Sequence, residues 1–86
     1  MAKVIGKVGQ YKILKVRRGY IVVNTKGNYD NHAHFNKEKG CYDLIRLLQR
    51  CTVPHDSYFR VAALRTTTND KYKKAIRHKI AKDKDK

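Results

Sequence analysis

Acidic side chains are scarce in this chain. Seven Asp and Glu stand against 21 Lys and Arg, a formal net charge of +14 over 86 residues. The acids are also scattered: Asp30, Glu38, Asp43, Asp56 and Asp70 fall mostly at turn or cap positions. No carboxylate pair or cluster suited to two-metal phosphodiester chemistry results. Tryptophan is missing, so six Tyr and two Phe supply most of the core's bulk. No apolar run approaches the roughly 18 residues of a membrane-spanning helix. Met1 to Gln10 lacks the continuous apolar segment of a signal peptide, so none is expected. Cys41 and Cys51 are the two cysteines, which fits a cytoplasmic protein with both thiols reduced. There is no Cys-x-x-Cys, no His-Glu-x-x-His and no RNP-like string. Gly6-Lys7-Val8-Gly9 lacks the Walker spacing of a phosphate loop.

What is present is positive charge. Residues 1–43 hold nine basic and three acidic side chains, and residues 44–86 hold twelve and four. The excess is therefore carried by the folded body and not by a detachable tail. Self-repulsion at this density opposes compaction, so a polyanionic partner is expected. The 41% hydrophobic share is too high for a wholly disordered chain. One small domain with a thin core is expected over residues 1–82, with a disordered end at 83–86. Partner binding would add to its stability.

Residues 1–9 read as an arm or a loose first strand. Tyr11–Val16 and Tyr20–Thr25 are rich in β-formers, and Arg17-Arg18-Gly19 between them predicts a hairpin with Gly19 supplying a positive φ. Lys26–Asn31 is a second turn cluster. His32–Phe35 then reads as a short third strand. Asn36 is positioned to cap a helix over 38–51, in which Cys41, Leu44, Ile45, Leu48 and Cys51 make one apolar face. Gly40 weakens its first turn, and Pro54 ends it. Asp56 or Ser57 caps a second, shorter helix to about Leu64, burying Tyr58, Ala62 and Phe59; Phe59–Leu64 also fits a strand. Thr68 or Asn69 caps a third helix, roughly Asp70–Ala81, with a narrow seam of Tyr72, Ile76 and Ile80 among cations. The fold class is α+β: a small antiparallel sheet, a hairpin plus a short third strand, packed on two to three helices with a basic helix at the C-terminus.

Three basic patches follow. Arg17 and Arg18 sit at the hairpin tip. Arg46, Arg50 and Arg60 form a second group, and Lys71, Lys74 and Arg77, spaced by three, line one side of the last helix. These eight residues are the candidate nucleic-acid contacts. Tyr11, Tyr20 and Tyr29 lie on or beside the sheet, where aromatics serve either as stacking platforms or as core. His32 and His34, two apart on a strand, share a face. They fit one metal, completed by Cys41, Cys51, Asp30 or His55, an acid–base pair, a phosphate contact, or a structural role. Cys41 and Cys51, ten residues apart on one helix, are separated by about 15 Å. They cannot bridge within it and read as small core residues.

The strings Asn31–Phe35, Val53–Phe59 and Leu64–Arg65 to Asp70–Tyr72 resemble small basic proteins of bacterial mobile elements and phages. That resemblance, covering residues 20–80, implies a setting and no activity. The sequence thus points to non-catalytic binding of DNA or RNA, without cofactor or membrane. The alternatives are a phage or mobile-element effector that inhibits a host nucleoprotein complex, and a small metal-dependent phosphodiesterase built on His32 and His34. Monomer and homodimer are both open.

Overall fold

Tyr11–Val16 and Gly19–Asn24, rich in β-branched and aromatic residues, form the central strand pair, registered from Tyr11 opposite Asn24 to Val16 opposite Gly19. A computed structural model describes residues 3–27 and 31–84. Its strands are β1 (Lys3–Val8), β2 (Tyr11–Val16), β3 (Gly19–Asn24) and β4 (Ala33–Phe35), and its helices α1 (Glu38–Arg50), α2 (Ser57–Thr66) and α3 (Asp70–Lys84). The strands form one antiparallel sheet in sequence order, an α+β fold. Of the arm or loose first strand expected over residues 1–9, Lys3–Val8 is a paired strand, with a register shift between Val4 and Gly6. The shift lets Ile5 pack against the core while Val4 stays exposed.

Tyr11, Ile13, Val22, Ala33 and Phe35 alternate onto the face that meets the helices. Leu14, Ile21 and His34 pair across strands on the opposite face. Gly19 has φ +129°, and a Cβ there would lie 2.5 Å from the Phe35 carbonyl oxygen. Glycine is thus required where β3 and β4 close together. The Tyr58 hydroxyl donates to the His34 carbonyl, covering the outer edge of a strand that would otherwise invite pairing.

On α1, Cys41, Leu44, Ile45 and Leu48 are buried against the sheet, as their spacing predicts. Burial of each large aliphatic is worth about 1.5–3 kcal/mol. The helix begins at Glu38, its N-cap is Lys37, and no side chain caps it, so Asn36 does not take that role. Gly40 tolerates its poor helix propensity because a Cβ would stand 2.7 Å from the Phe35 ring. Cys51 is the C-cap, in the left-handed region at φ 51°, and is exposed. The expected burial of this thiol is therefore corrected: it lies where the helix ends, off the apolar face. Cys41 is the core thiol, and burial, with Glu38 nearby, pushes it up to about 11.

Asp56 caps α2, its Oδ1 accepting from the backbone N–H of Tyr58 at 2.8 Å and Phe59 at 3.2 Å. The expected burial of Tyr58 is not found. It is 53% exposed, its ring set edge-on to Phe35 at 5.5 Å. Asn69 caps α3 through Oδ1, accepting from Tyr72 N–H at 3.1 Å. Tyr72 and Ile76 are buried and Ile80 half-buried. The helix runs past the expected end at Ala81 to Lys84. Asp83 belongs to it and pairs with Arg60 and Lys79. Among the described residues no helix is long and apolar enough to cross a membrane.

Candidate nucleic-acid interface

The polar end of the molecule is organised by Asn24, the last residue of β3 and 1% exposed. Its Nδ2 donates to the Thr66 carbonyl at 3.0 Å. Its Oδ1 accepts from Gln10 Nε2 at 3.2 Å and from the Lys26 N–H at 2.9 Å. One side chain thus joins the β1–β2 turn, the turn after β3 and the C-terminus of α2. The segment that follows is fixed from within, as Thr67 Oγ1 accepts from the Asn69 N–H at 3.1 Å.

Where α2 hands over to α3, a cleft of about 310 Å³ opens. Arg65, Lys73 and Arg77 line it, with Thr66, Thr67 and Thr68 between them. Lys73 and Arg77 are one turn apart on α3 and share a side of it. Among the described residues, none of these three cations is ion-paired to a carboxylate; the ion pairs there are Lys39–Asp43, Arg60–Asp83 and Lys79–Asp83. Three cationic side chains around one cleft have the charge and donor chemistry that suits a tetrahedral anion.

The residues singled out from sequence fall in separate places. Arg77 is in the cleft, while Lys71 lies on the other flank of α3 beside Cys51 and Tyr72. Lys74 is exposed on the same helix. Arg17 and Arg18 are exposed just beyond the opposite end of β3, about 20 Å from Asn24 at the usual strand rise. Arg46 and Arg50 are exposed on α1. Arg60 is a correction: it is 7% exposed. Its Nε donates to the Pro54 carbonyl at 2.7 Å, and its Nη1 donates to Asp83. A guanidinium committed to those partners is an internal brace between α2, α3 and the loop before α2. Arg65 and Lys73 were missed. The spacing of Lys73 and Arg77 signals a shared flank, but nothing local places Arg65 beside them.

No protein-family model matches the chain. No curated protein matches it either, and neither does any solved structure.

His32 and His34 line a small cleft of about 160 Å³ together with Tyr58, Val61 and Arg65. His34 Nε2 lies 3.0 Å from the Arg18 carbonyl. A carbonyl only accepts, so Nε2 carries the proton and the ring ties the hairpin tip to β4. Among the described residues no three His, Cys, Asp or Glu side chains converge as a metal site. Cys41 is sealed in the core. Asp30 lies outside the described residues, as does Tyr29. Of the remaining tyrosines weighed as stacking platforms, Tyr11 is buried and Tyr20 packs against the core.

Proposed function

We propose that this protein binds nucleic acid without catalysis and holds phosphates in the cleft between α2 and α3. The observation that carries the reading is the grouping of Arg65, Lys73 and Arg77 around Thr66–Thr68, with no carboxylate among the described residues paired to them. Exposed Arg17, Arg18, Arg46, Arg50, Lys71 and Lys74 extend the contact as a sequence-independent positive surface. The setting is cytoplasmic, where Cys41 and Cys51 remain free thiols.

Fluorescence anisotropy with random-sequence oligonucleotides, titrated across salt, tests this. Affinity falls steeply with salt, and combined Arg65→Gln, Lys73→Gln and Arg77→Gln lowers the slope of log K against log salt by about 2–3. The oligonucleotide stays intact, with or without a chelator, in both wild type and His32→Ala. Absence of binding, or an unchanged slope in the triple variant, would sink the proposal. Tight binding to a purified nucleoprotein complex, with none to free oligonucleotides, would replace it with the effector reading.

A further inference from the structure

A second, larger cleft shares a wall with the cationic one. It measures about 650 Å³, and Thr67 and Thr68 line both. Its volume is that of an ordinary small-ligand site. Leu48 and Tyr11, both buried, supply an apolar base. Its rim carries amide side chains from three different elements: Gln10, Gln49 and Asn69. Two of these are committed within the fold. Gln10 donates to Asn24, and Asn69 accepts from Tyr72 N–H while its Nδ2 faces Cys51 Sγ at 3.8 Å. Gln49 is exposed on the last turn of α1 and makes no side-chain hydrogen bond to another described residue. Lys26 stands at the same rim.

We infer that the two clefts together seat one unpaired nucleotide of a single strand: the base in the amide-rimmed cleft, its phosphate among Arg65, Lys73 and Arg77. This rests on the nucleic-acid reading above and narrows it to single-stranded substrate. An apolar floor accepts the faces of a base, and a primary amide presents a donor and an acceptor side by side, the pattern of a base edge. Gln49 is the side chain that reads that edge. A duplex keeps its bases stacked inside and offers a concave site only its backbone, whereas an unpaired base can be turned out into a pocket. The sheet offers no exposed ring to stack on, since Tyr11 and Tyr20 pack inward. Insertion into a cleft therefore takes the place of the flat aromatic platform common among single-strand binders.

Anisotropy with a 12-nucleotide strand and the matching duplex, at one salt concentration, separates the possibilities. The single strand binds at least tenfold tighter. Gln49→Ala weakens the single strand about fivefold or more and leaves the duplex unchanged, while Arg65→Gln, Lys73→Gln and Arg77→Gln weaken both. A 2-aminopurine in the strand brightens on binding as its base leaves the stack, and Gln49→Trp, which fills the cleft, abolishes that rise. Equal or tighter binding of the duplex, or insensitivity of the single strand to both Gln49 variants, overturns this inference while nucleic-acid binding stands. Failure of both strand and duplex to bind overturns the parent reading as well. Binding of free mononucleotides as tightly as the strand would overturn the strand and assign the site to soluble nucleotides.

Discussion

Single residues with nonlocal duties decide much of this molecule. Asn24 is buried at the end of β3 and bonds three separate segments. Asn24→Ala leaves the Thr66 carbonyl and the Lys26 N–H short of a partner, at a cost of about 1–3 kcal/mol. Urea unfolding reads that loss as a lower midpoint, and amide exchange rises in residues 66–69, where both clefts meet. An unchanged midpoint would show that water replaces the amide without penalty. Gly19 is the other sensitive position. Gly19→Ala meets the Phe35 carbonyl at 2.5 Å with φ +129°, so a loss above about 2 kcal/mol is expected. Gly27→Ala is the control: its nearest neighbour is a Thr68 methyl at 3.0 Å, and the loss is smaller. Equal losses at the two glycines would remove the special role assigned to the β3–β4 closure.

Among the elements, α3 is attached to the body by a narrow seam whose anchor is Tyr72. Its hydroxyl donates to the Thr52 carbonyl at 2.6 Å. Burial, with Cys51 and Tyr11 nearby, pushes this phenol up to about 12 from an ordinary 10.0. Burial raises Tyr11 too. Below pH 10 the phenol is protonated in both folded and unfolded chains, and its stabilisation is fully present. Between pH 10 and about 12 the unfolded chain ionises first, and stability falls by up to about 1.4 kcal/mol per pH unit for each such group. Tyr72→Phe is less stable at neutral pH by about 1 kcal/mol, the worth of the lost hydrogen bond. Its stability declines less steeply above pH 10. Denaturant midpoints from pH 7 to 12 check both limbs, and parallel curves for the two proteins would contradict the assignment.

For the whole molecule, the charge sets the conditions under which the fold is stable. A formal +14 on 86 residues, with three ion pairs among the described residues, leaves cations repelling across the surface. Screening relieves that repulsion, so the thermal midpoint rises between low and physiological salt. A gain of about 1 kcal/mol corresponds to roughly 4–8 °C in a domain of this size. A saturating single-stranded oligonucleotide raises the midpoint further at low salt, by mass action on the folded state. A midpoint that falls with salt would mean that specific ion pairs outweigh the repulsion.

Most of the elements follow from local patterning. β2 and β4 alternate in burial because successive side chains leave opposite faces, and α1 buries residues at helical spacing because the backbone repeats every 3.6 residues. Caps are narrowed locally to Asp56 or Ser57 and to Thr68 or Asn69, because the bonds a cap makes are to backbone two or three residues away; Asp56 and Asn69 take the roles. Local preference points to Asn36 as the cap of α1, whereas Lys37 is the boundary and no side chain caps it. The register shift in β1 had no local signal either. Which cations face one another is a matter of long-range packing. It turned Arg60 inward to Pro54 and Asp83, set Tyr58 on the surface, and brought Arg65 of α2 beside Lys73 and Arg77 of α3. Those choices depend on how α2 and α3 pack and on the Asn24 bonds that fix the end of α2. Such contacts join residues far apart in the chain, and neither composition nor periodicity carries that information.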